Sequence, residues 1–398
     1  MKRVVLAYSG GLDTSVAVRW LKQDRGFDEV YAIAVDIGQV EDWDQVRARG
    51  EIAGAAEVRV VDAKDRFANE FLSRAIKANA LYEGKYPLVA GLSRPLIADE
   101  IVAVAREVGA DAVAHGCTGK GNDQVRFELT FSVQAPDLQI IAPMREAQIS
   151  REQALAWADE WGIPVSPVAG SYSIDENMWG RCCECGPIED PWNPPPEDAF
   201  ARTAPPEKRP SEPAEIMLAF ERGVPVSLDG EQLSLAEIVR RVDDVAGAYG
   251  YGRIDMIENR RVGIKSREVY EVPGGLSLIV AHQALEDLNL EREVSHFKPI
   301  IETRFSELVY DGQWFSPLMQ ALNGFIDSTQ ENVTGEVRLQ YNPGTMMVVG
   351  RRSDLALYDE GLATYGAEDS FDHAHAEGFV RLWGLSLKTW SAKQKPRP

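Results

Sequence analysis

Over the first 165 residues, short β-branched apolar runs alternate with segments whose apolar positions recur at helical spacing. The runs fall at residues 4–8, 30–35, 58–61, 112–114 and 139–142. Near-continuous apolar strands interleaved with helices are what a parallel sheet covered on both faces demands, so the pattern predicts a doubly wound α/β domain. Pro95 predicts the opening of a helix over 96–107, ending near Gly109. Ser150 with Gln153 forms a capping box for a helix running through Trp161.

From Pro187 to Pro213 nine prolines occur in 27 residues, a density that excludes a helix or a central strand and predicts an extended connector. After it the pattern predicts a strand from Ile216, a tight turn at Asp229-Gly230, and a helix capped by Ser234 and Glu237 with apolar positions Leu235, Ile238, Val239 and Val242. A strand at 254–257, helices at 276–290 and 317–328, and two strands flanking Asn342-Pro343-Gly344 complete a second, α+β domain. A last helical stretch follows His373, and its Phe379, Leu382, Trp383 and Leu385 suit packing on the same chain or on a neighbour. The predicted layout is thus 1–165, 166–363 with the connector at 187–213, and a C-terminal helix and tail at 364–398. No internal repeat is visible.

Charge changes the picture by exclusion. With 62 acidic and 42 basic side chains the net charge of −20 opposes a phosphate backbone, so a nucleic-acid partner is not expected. No run approaches the roughly 18 apolar residues of a membrane span, and residues 1–6 lack a signal-peptide layout, so a soluble cytoplasmic protein without a membrane partner is expected. Of the four cysteines, three crowd into Cys182-Cys183-Glu184-Cys185, and Cys182 with Cys185 lacks the second pair that a zinc site requires. No protein-held metal is expected.

Directly after the first strand stands Ser9-Gly10-Gly11-Leu12-Asp13-Thr14-Ser15, running into a helical segment. Paired glycines let the backbone approach a ligand, and a helix start offers free N–H groups and a positive dipole end, so the layout fits a phosphate. The G-K-[ST] ending of a Walker A loop and the G-x-G-x-x-G of a dinucleotide site are both absent. The segment resembles the PP-loop of the N-type ATP pyrophosphatases, an adenine nucleotide alpha hydrolase-like group that cleaves ATP between its α- and β-phosphates. That resemblance implies adenylylation of a substrate oxygen.

A second glycine-rich polar loop, residues 115–128, follows the fourth strand. Asp123 and the Asn122 carbonyl can accept from an ammonium, while Thr118 and Arg126 can donate to a carboxylate, as an amino-acid zwitterion requires. Taken alone, a solvated turn with a helix cap remains equally open. From Gly116 to Glu128 the chain resembles the argininosuccinate synthetase family. Further matching stretches are 80–86, 172–177, 252–255, 258–260 and 263–271, spread over nearly the whole chain.

The resemblance implies an ATP-dependent C–N ligase of arginine biosynthesis that joins citrulline to aspartate through a citrullyl adenylate. It implies ATP contacts at Ala7, Tyr8, Ser9, Gly10, Gly11, Leu12, Asp13, Thr14, Ser15, Val35 and Gly116. Aspartate would sit on Thr118, Asn122 and Asp123; citrulline on Tyr86, Asn122, Arg126, Ser173, Cys182, Glu258 and Tyr270. ATP with Mg²⁺ would be substrate, without a permanently bound cofactor, and the assembly a homotetramer. The family commonly has serine where this chain has Gly91 and Cys182, so hydroxyl contacts to citrulline would be lost there.

No covalent nucleophile is implied, so positioning and charge stabilisation carry the reaction, with Asp13, Lys120 and Asp123 as positioning groups. Asp13 either binds Mg²⁺ or caps the helix, and His115 and Asp123 are the candidate bases. Two other readings stay open. One is another PP-loop ligase or a tRNA-thiolating enzyme using Cys182 and Cys185; the other is an ATP sensor without turnover.

Overall fold

In the computed structural model, residues 1–119, 121–164 and 172–395 are described. The chain folds as two compact units, Met1–Leu355 and Ala356–Pro398.

The first unit opens with a five-stranded parallel sheet: β1 (Arg3–Ala7), β2 (Glu29–Asp36), β3 (Glu57–Asp62), β4 (Ala112–His115) and β5 (Gln139–Ile141), in the order β3-β2-β1-β4-β5. Alternation along β1 shows how the sequence builds two cores. Val4 and Leu6 face a cluster with the helices Leu12–Gln23 and Arg151–Glu160, whereas Val5 and Ala7 face another with the helices Val89–Val108 and Asp123–Gln134. The expected doubly wound sheet is therefore present, and the Ser150 hydroxyl accepts from the Gln153 N–H as the capping box predicts.

The helix expected to open at Pro95 instead begins at Val89, with Pro95 inside it. A proline there costs about 3 kcal/mol, but starting about two turns earlier buries Val89 and Leu92 completely, each contributing roughly 1.5–3 kcal/mol. Burial outweighs the missing hydrogen bond. Leu88, in the left-handed region at φ 65°, turns the chain into this helix.

Two antiparallel sheets follow. One runs β11 (Arg253–Asn259), β12 (Lys265–Glu271), β7 (Gly180–Glu184), β6 (Ser173–Asn177). The other runs β10 (Glu231–Gln232), β9 (Val224–Leu228), β8 (Ala214–Glu221), β13 (Gly335–Asn342), β14 (Thr345–Arg352). The Asp229-Gly230 turn joins β9 to β10, while the longer β8–β9 pair closes at Arg222-Gly223, both residues of each turn having positive φ. Helices Leu235–Ala248, Pro273–Asn289 and Pro317–Thr329 stand close to expectation. The helix Arg292–Tyr310 was not foreseen, because Pro299 interrupts its pattern.

The connector holds only short 3₁₀ turns. Its anchor is the buried Glu271 carboxylate, which accepts from the Ala201, Arg202 and Thr203 N–H groups, the Thr203 hydroxyl and Arg181 at 2.7–3.1 Å.

In the second unit, helices Ala374–Trp383 and Leu385–Lys393 meet at Gly384 and leave Phe379, Leu382, Trp383 and Trp390 at least half exposed. Among the described residues no helix is long and apolar enough to cross a membrane.

Candidate active site

The loops that follow β1 and β4 lie at adjacent carboxyl ends of a parallel sheet whose order reverses there, the place where such sheets bind ligands. Gly10 has φ 73°, and a Cβ on it would stand 2.8 Å from Val46, so the turn demands glycine. Ser9 and Thr14 tie the loop across itself, with Thr14 Oγ1 lying 3.3 Å from the Ser9 N–H and 3.1 Å from Ser9 Oγ. No side chain caps the N-terminus of the helix Leu12–Gln23, whose N–H groups are left for a ligand. The two loops touch: a Cβ at Gly116 would sit 2.6 Å from Thr14 Cγ2.

A cavity of about 460 Å³ opens over this junction. Ala7, Tyr8, Ser9, Asp13, Thr14, Val35 and Gly116, all among the expected ATP contacts, line it. Gly10, Gly11 and Leu12 shape the turn without lining it, and the Ser15 hydroxyl lies beneath, 3.1 Å from the Tyr8 hydroxyl. The Val35 carbonyl accepts from the Gln39 side chain, so Gln39 rigidifies that rim. Burial raises the Asp13 carboxyl above its ordinary range, against the pull of Arg151. Asp13 does not cap the helix through its side chain.

A second cavity, of about 200 Å³, is lined by Tyr86, Thr118, Asn122, Asp123, Arg126, Cys182, Glu258 and Tyr270. Residues from β7, β11 and β12 thus meet the second loop of the parallel-sheet half. Tyr86 stacks on Tyr270 at 4.1 Å, and its hydroxyl accepts from the Ala90 N–H. Asn122 is fixed at both ends, donating to the Tyr310 hydroxyl and accepting from the Arg261 N–H. Arg126 donates to the Tyr310 carbonyl and to Asp123.

On the wall of this pocket the Glu258 and Glu268 carboxylates converge on the Tyr270 hydroxyl. The Tyr270 hydroxyl lies 3.1 Å from Glu258 and 2.8 Å from Glu268, and Cys182 Sγ and Arg260 also donate to Glu268. Burial opposes ionisation of Glu268, but these donors hold it below the ordinary range. Burial and the neighbouring Glu268 charge push Glu258 up to about 8. Burial likewise raises the Cys182 thiol well above its usual value, so it is a neutral donor.

Several expectations are corrected. Gly91 lies outside both linings, a side chain there pointing to Val309, and Ala90 takes the lining place. Ser173 is exposed at the edge of β6, paired with Glu184, and lies outside both linings. His115 accepts the Cys117 N–H at Nδ1 and meets Glu128 at Nε2, lining neither cavity, so it is not placed as a base. Asp123 is paired through one oxygen with Arg94 and through the other with Arg126. Burial would raise it, but the two guanidinium groups hold it at about 2, so it is a poor base. Lys120 lies outside the described residues.

Sequence reasoning missed the partition between the cavities. Cys117, Asp123 and Asp175 line both, and Arg94 bridges the two aspartates at 2.8 and 2.6 Å. Arg94 sits behind Pro95 in a helix whose start was misplaced, and Asp175 lies on an unforeseen strand.

Comparison with known proteins agrees with this geometry. Residues 3–164 match the arginosuccinate synthase N-terminal HUP domain, and residues 172–390 the arginosuccinate synthase C-terminal domain. The argininosuccinate synthases of Bacillus licheniformis and Bacillus subtilis are each 54% identical over 395 residues, covering 99% of this chain and 98% of theirs. That of Geobacillus kaustophilus is 54% identical over 394 residues, covering 99% and 97%. The chain belongs to the argininosuccinate synthase family.

Proposed function

We propose that this protein is an ATP-dependent ligase that adenylylates the ureido oxygen of citrulline and then joins it to the amino group of aspartate, forming argininosuccinate for arginine biosynthesis. The observation that carries the reading is the pair of cavities meeting at one partition of Cys117, Asp123 and Asp175. A nucleotide held by the first loop would direct its α-phosphate toward an amino acid held in the second cavity.

The uncapped helix start at Leu12, with Ser9 and Thr14, would hold the leaving pyrophosphate through N–H and hydroxyl donors. Mg²⁺ would arrive with ATP as part of the substrate, and the lining carboxylate of Asp13 fits its shell. In the second cavity Thr118, Asn122 and Asp123 would hold aspartate, and Tyr86, Arg126, Glu258 and Tyr270 would hold citrulline. Glu258 would lose its proton when the citrulline ammonium arrives. Cys182 would shape that pocket and act as a donor to Glu268. The raised thiol does not favour sulfur transfer.

Exposed Phe379, Leu382, Trp383 and Trp390 support self-association; the proposed assembly is a cytoplasmic homotetramer, checked by light scattering of the purified protein. The function is tested by pyrophosphate and AMP release from Mg-ATP with and without the two amino acids. Sustained release of both that requires citrulline and aspartate is expected; ATP binding without release would overturn the ligase reading in favour of a sensor.

A further inference from the structure

The ligase reading leaves one chemical requirement without a residue. Aspartate enters as an ammonium, and its nitrogen is nucleophilic only after losing a proton. The acceptor must stand where the activated citrulline carbon and the α-phosphate meet, which restricts it to side chains that border both cavities. Among the described residues three do: Cys117, Asp123 and Asp175. Burial pushes the Cys117 thiol far above its ordinary range, so it does not form the anion that accepts a proton. Asp123 gives both oxygens to Arg94 and Arg126.

Asp175 differs in geometry. Its Oδ2 accepts from Arg94 Nη2 at 2.6 Å, and among the described residues no group donates to Oδ1. Register fixes its direction: Asp175 opposes Cys182 across the β6–β7 pair, and Cys182 lines the amino-acid cavity. Arg94 also donates to Ser93 Oγ, which holds the guanidinium and through it the carboxylate plane. Burial, with the charge of Asp123 close by, raises the Asp175 carboxyl above the ordinary range even against Arg94. That suits a group that must take a proton and give it up again.

We propose that Asp175 is the proton acceptor for the aspartate ammonium in the second half-reaction, held in place by Arg94. This rests on the ligase reading. One proton passes from the ammonium to Asp175 Oδ1, and the freed lone pair forms the C–N bond to the ureido carbon of the adenylate. As the adduct collapses, the C–O bond breaks with its electron pair on the phosphate oxygen of AMP, which takes the second proton from the nitrogen. Asp175 then returns its proton to solvent through the open cavity.

The test uses the full chain with Asp175→Asn and two nucleophiles. Citrulline with Mg-ATP alone should give a pyrophosphate burst of about one per site in wild type and within about threefold in the variant, since the first half-reaction moves no proton to Asp175. Aspartate-supported turnover at saturation should fall about 10²-fold or more, and the residual rate should climb roughly tenfold per pH unit as free amine accumulates. Hydroxylamine, already unprotonated at neutral pH, should support turnover within about threefold of wild type. Equal loss with both nucleophiles, loss of the burst in the variant, or undiminished aspartate turnover would each overturn the assignment. Absence of the burst in wild type would defeat the ligase reading instead.

Discussion

Gly116→Ala tests whether the meeting of the two loops sets the nucleotide site. The new Cβ would lie 2.6 Å from Thr14 Cγ2, with the Thr14 backbone 3.8 Å away, so Thr14 must move. Thr14 is not free to rotate, because Oγ1 is held by the Ser9 N–H and sits against Ser9 Oγ and the Gly11 carbonyl. Overpacking of this kind costs about 1–3 kcal/mol, and surrendering the hydroxyl contacts adds roughly 0.5–1.5 kcal/mol for each bond. The expected result is a lowered urea midpoint together with a KM for ATP raised by about 10-fold or more, since a displacement of about 1 Å at a phosphate-binding loop costs up to 10²-fold. Thr14→Ser removes the clashing methyl while keeping the hydroxyl. The double variant should therefore recover most of both losses, with a coupling energy of about 1 kcal/mol or more in a double-mutant cycle. Wild-type stability and KM in Gly116→Ala, or no recovery in the double variant, would refute the reasoning.

Four further outcomes are expected. Asp123→Ala should not act on aspartate alone: stripping the shared carboxylate from buried Arg94 and Arg126 should lower stability by about 3–5 kcal/mol, read by urea unfolding, and impair ATP and aspartate use together. Citrulline affinity should improve as pH rises toward 8 and then level, because Glu258, pushed up to about 8, must ionise to hold an ammonium; calorimetry in buffers of different ionisation enthalpy should detect the released proton. Asp243, raised to about 6 chiefly by burial, favours the folded state when protonated, so its contribution is full below its unfolded value near pH 4 and is lost as pH rises through 6; Asp243→Asn should raise Tm above pH 6 relative to wild type and lose that advantage below pH 4. Cys182→Ser should preserve the fold and keep the citrulline KM within about threefold, because a hydroxyl can donate to Glu268 in place of the thiol.

The parallel-sheet half was legible because its determinants are local. Val4 with Leu6 and Val5 with Ala7 feed opposite cores, so an unbroken apolar run announces a buried strand, and the glycines at 10 and 11 mark a turn that tolerates no side chain at position 10. The second cavity was legible only in part. Ser173–Asn177 and Gly180–Glu184 carry charged and polar residues toward a pocket, which erases the alternation that identifies a strand. Family resemblance supplied Tyr86, Glu258 and Tyr270, but it also put Gly91 and Ser173 at the site, and packing directs the first toward Val309 and leaves the second at an exposed edge.

The sequence by itself determined the doubly wound sheet, the glycine turn after β1, the proline-rich connector and a C-terminal helical stretch, since each follows from periodicity or from the stereochemistry of glycine and proline within a few residues. Only the tertiary structure decided which charges are free. Arg94, Asp123 and Asp175 are separated by 29 and 81 positions from the arginine, yet they form one partition. Their pairing ties both oxygens of Asp123 to guanidinium groups, leaves one oxygen of Asp175 open, and, with the similar Glu258–Tyr270–Glu268 cluster, sets which acids hold protons. Ionisation in a buried site depends on distance and desolvation, and neither is written in the order of residues along the chain.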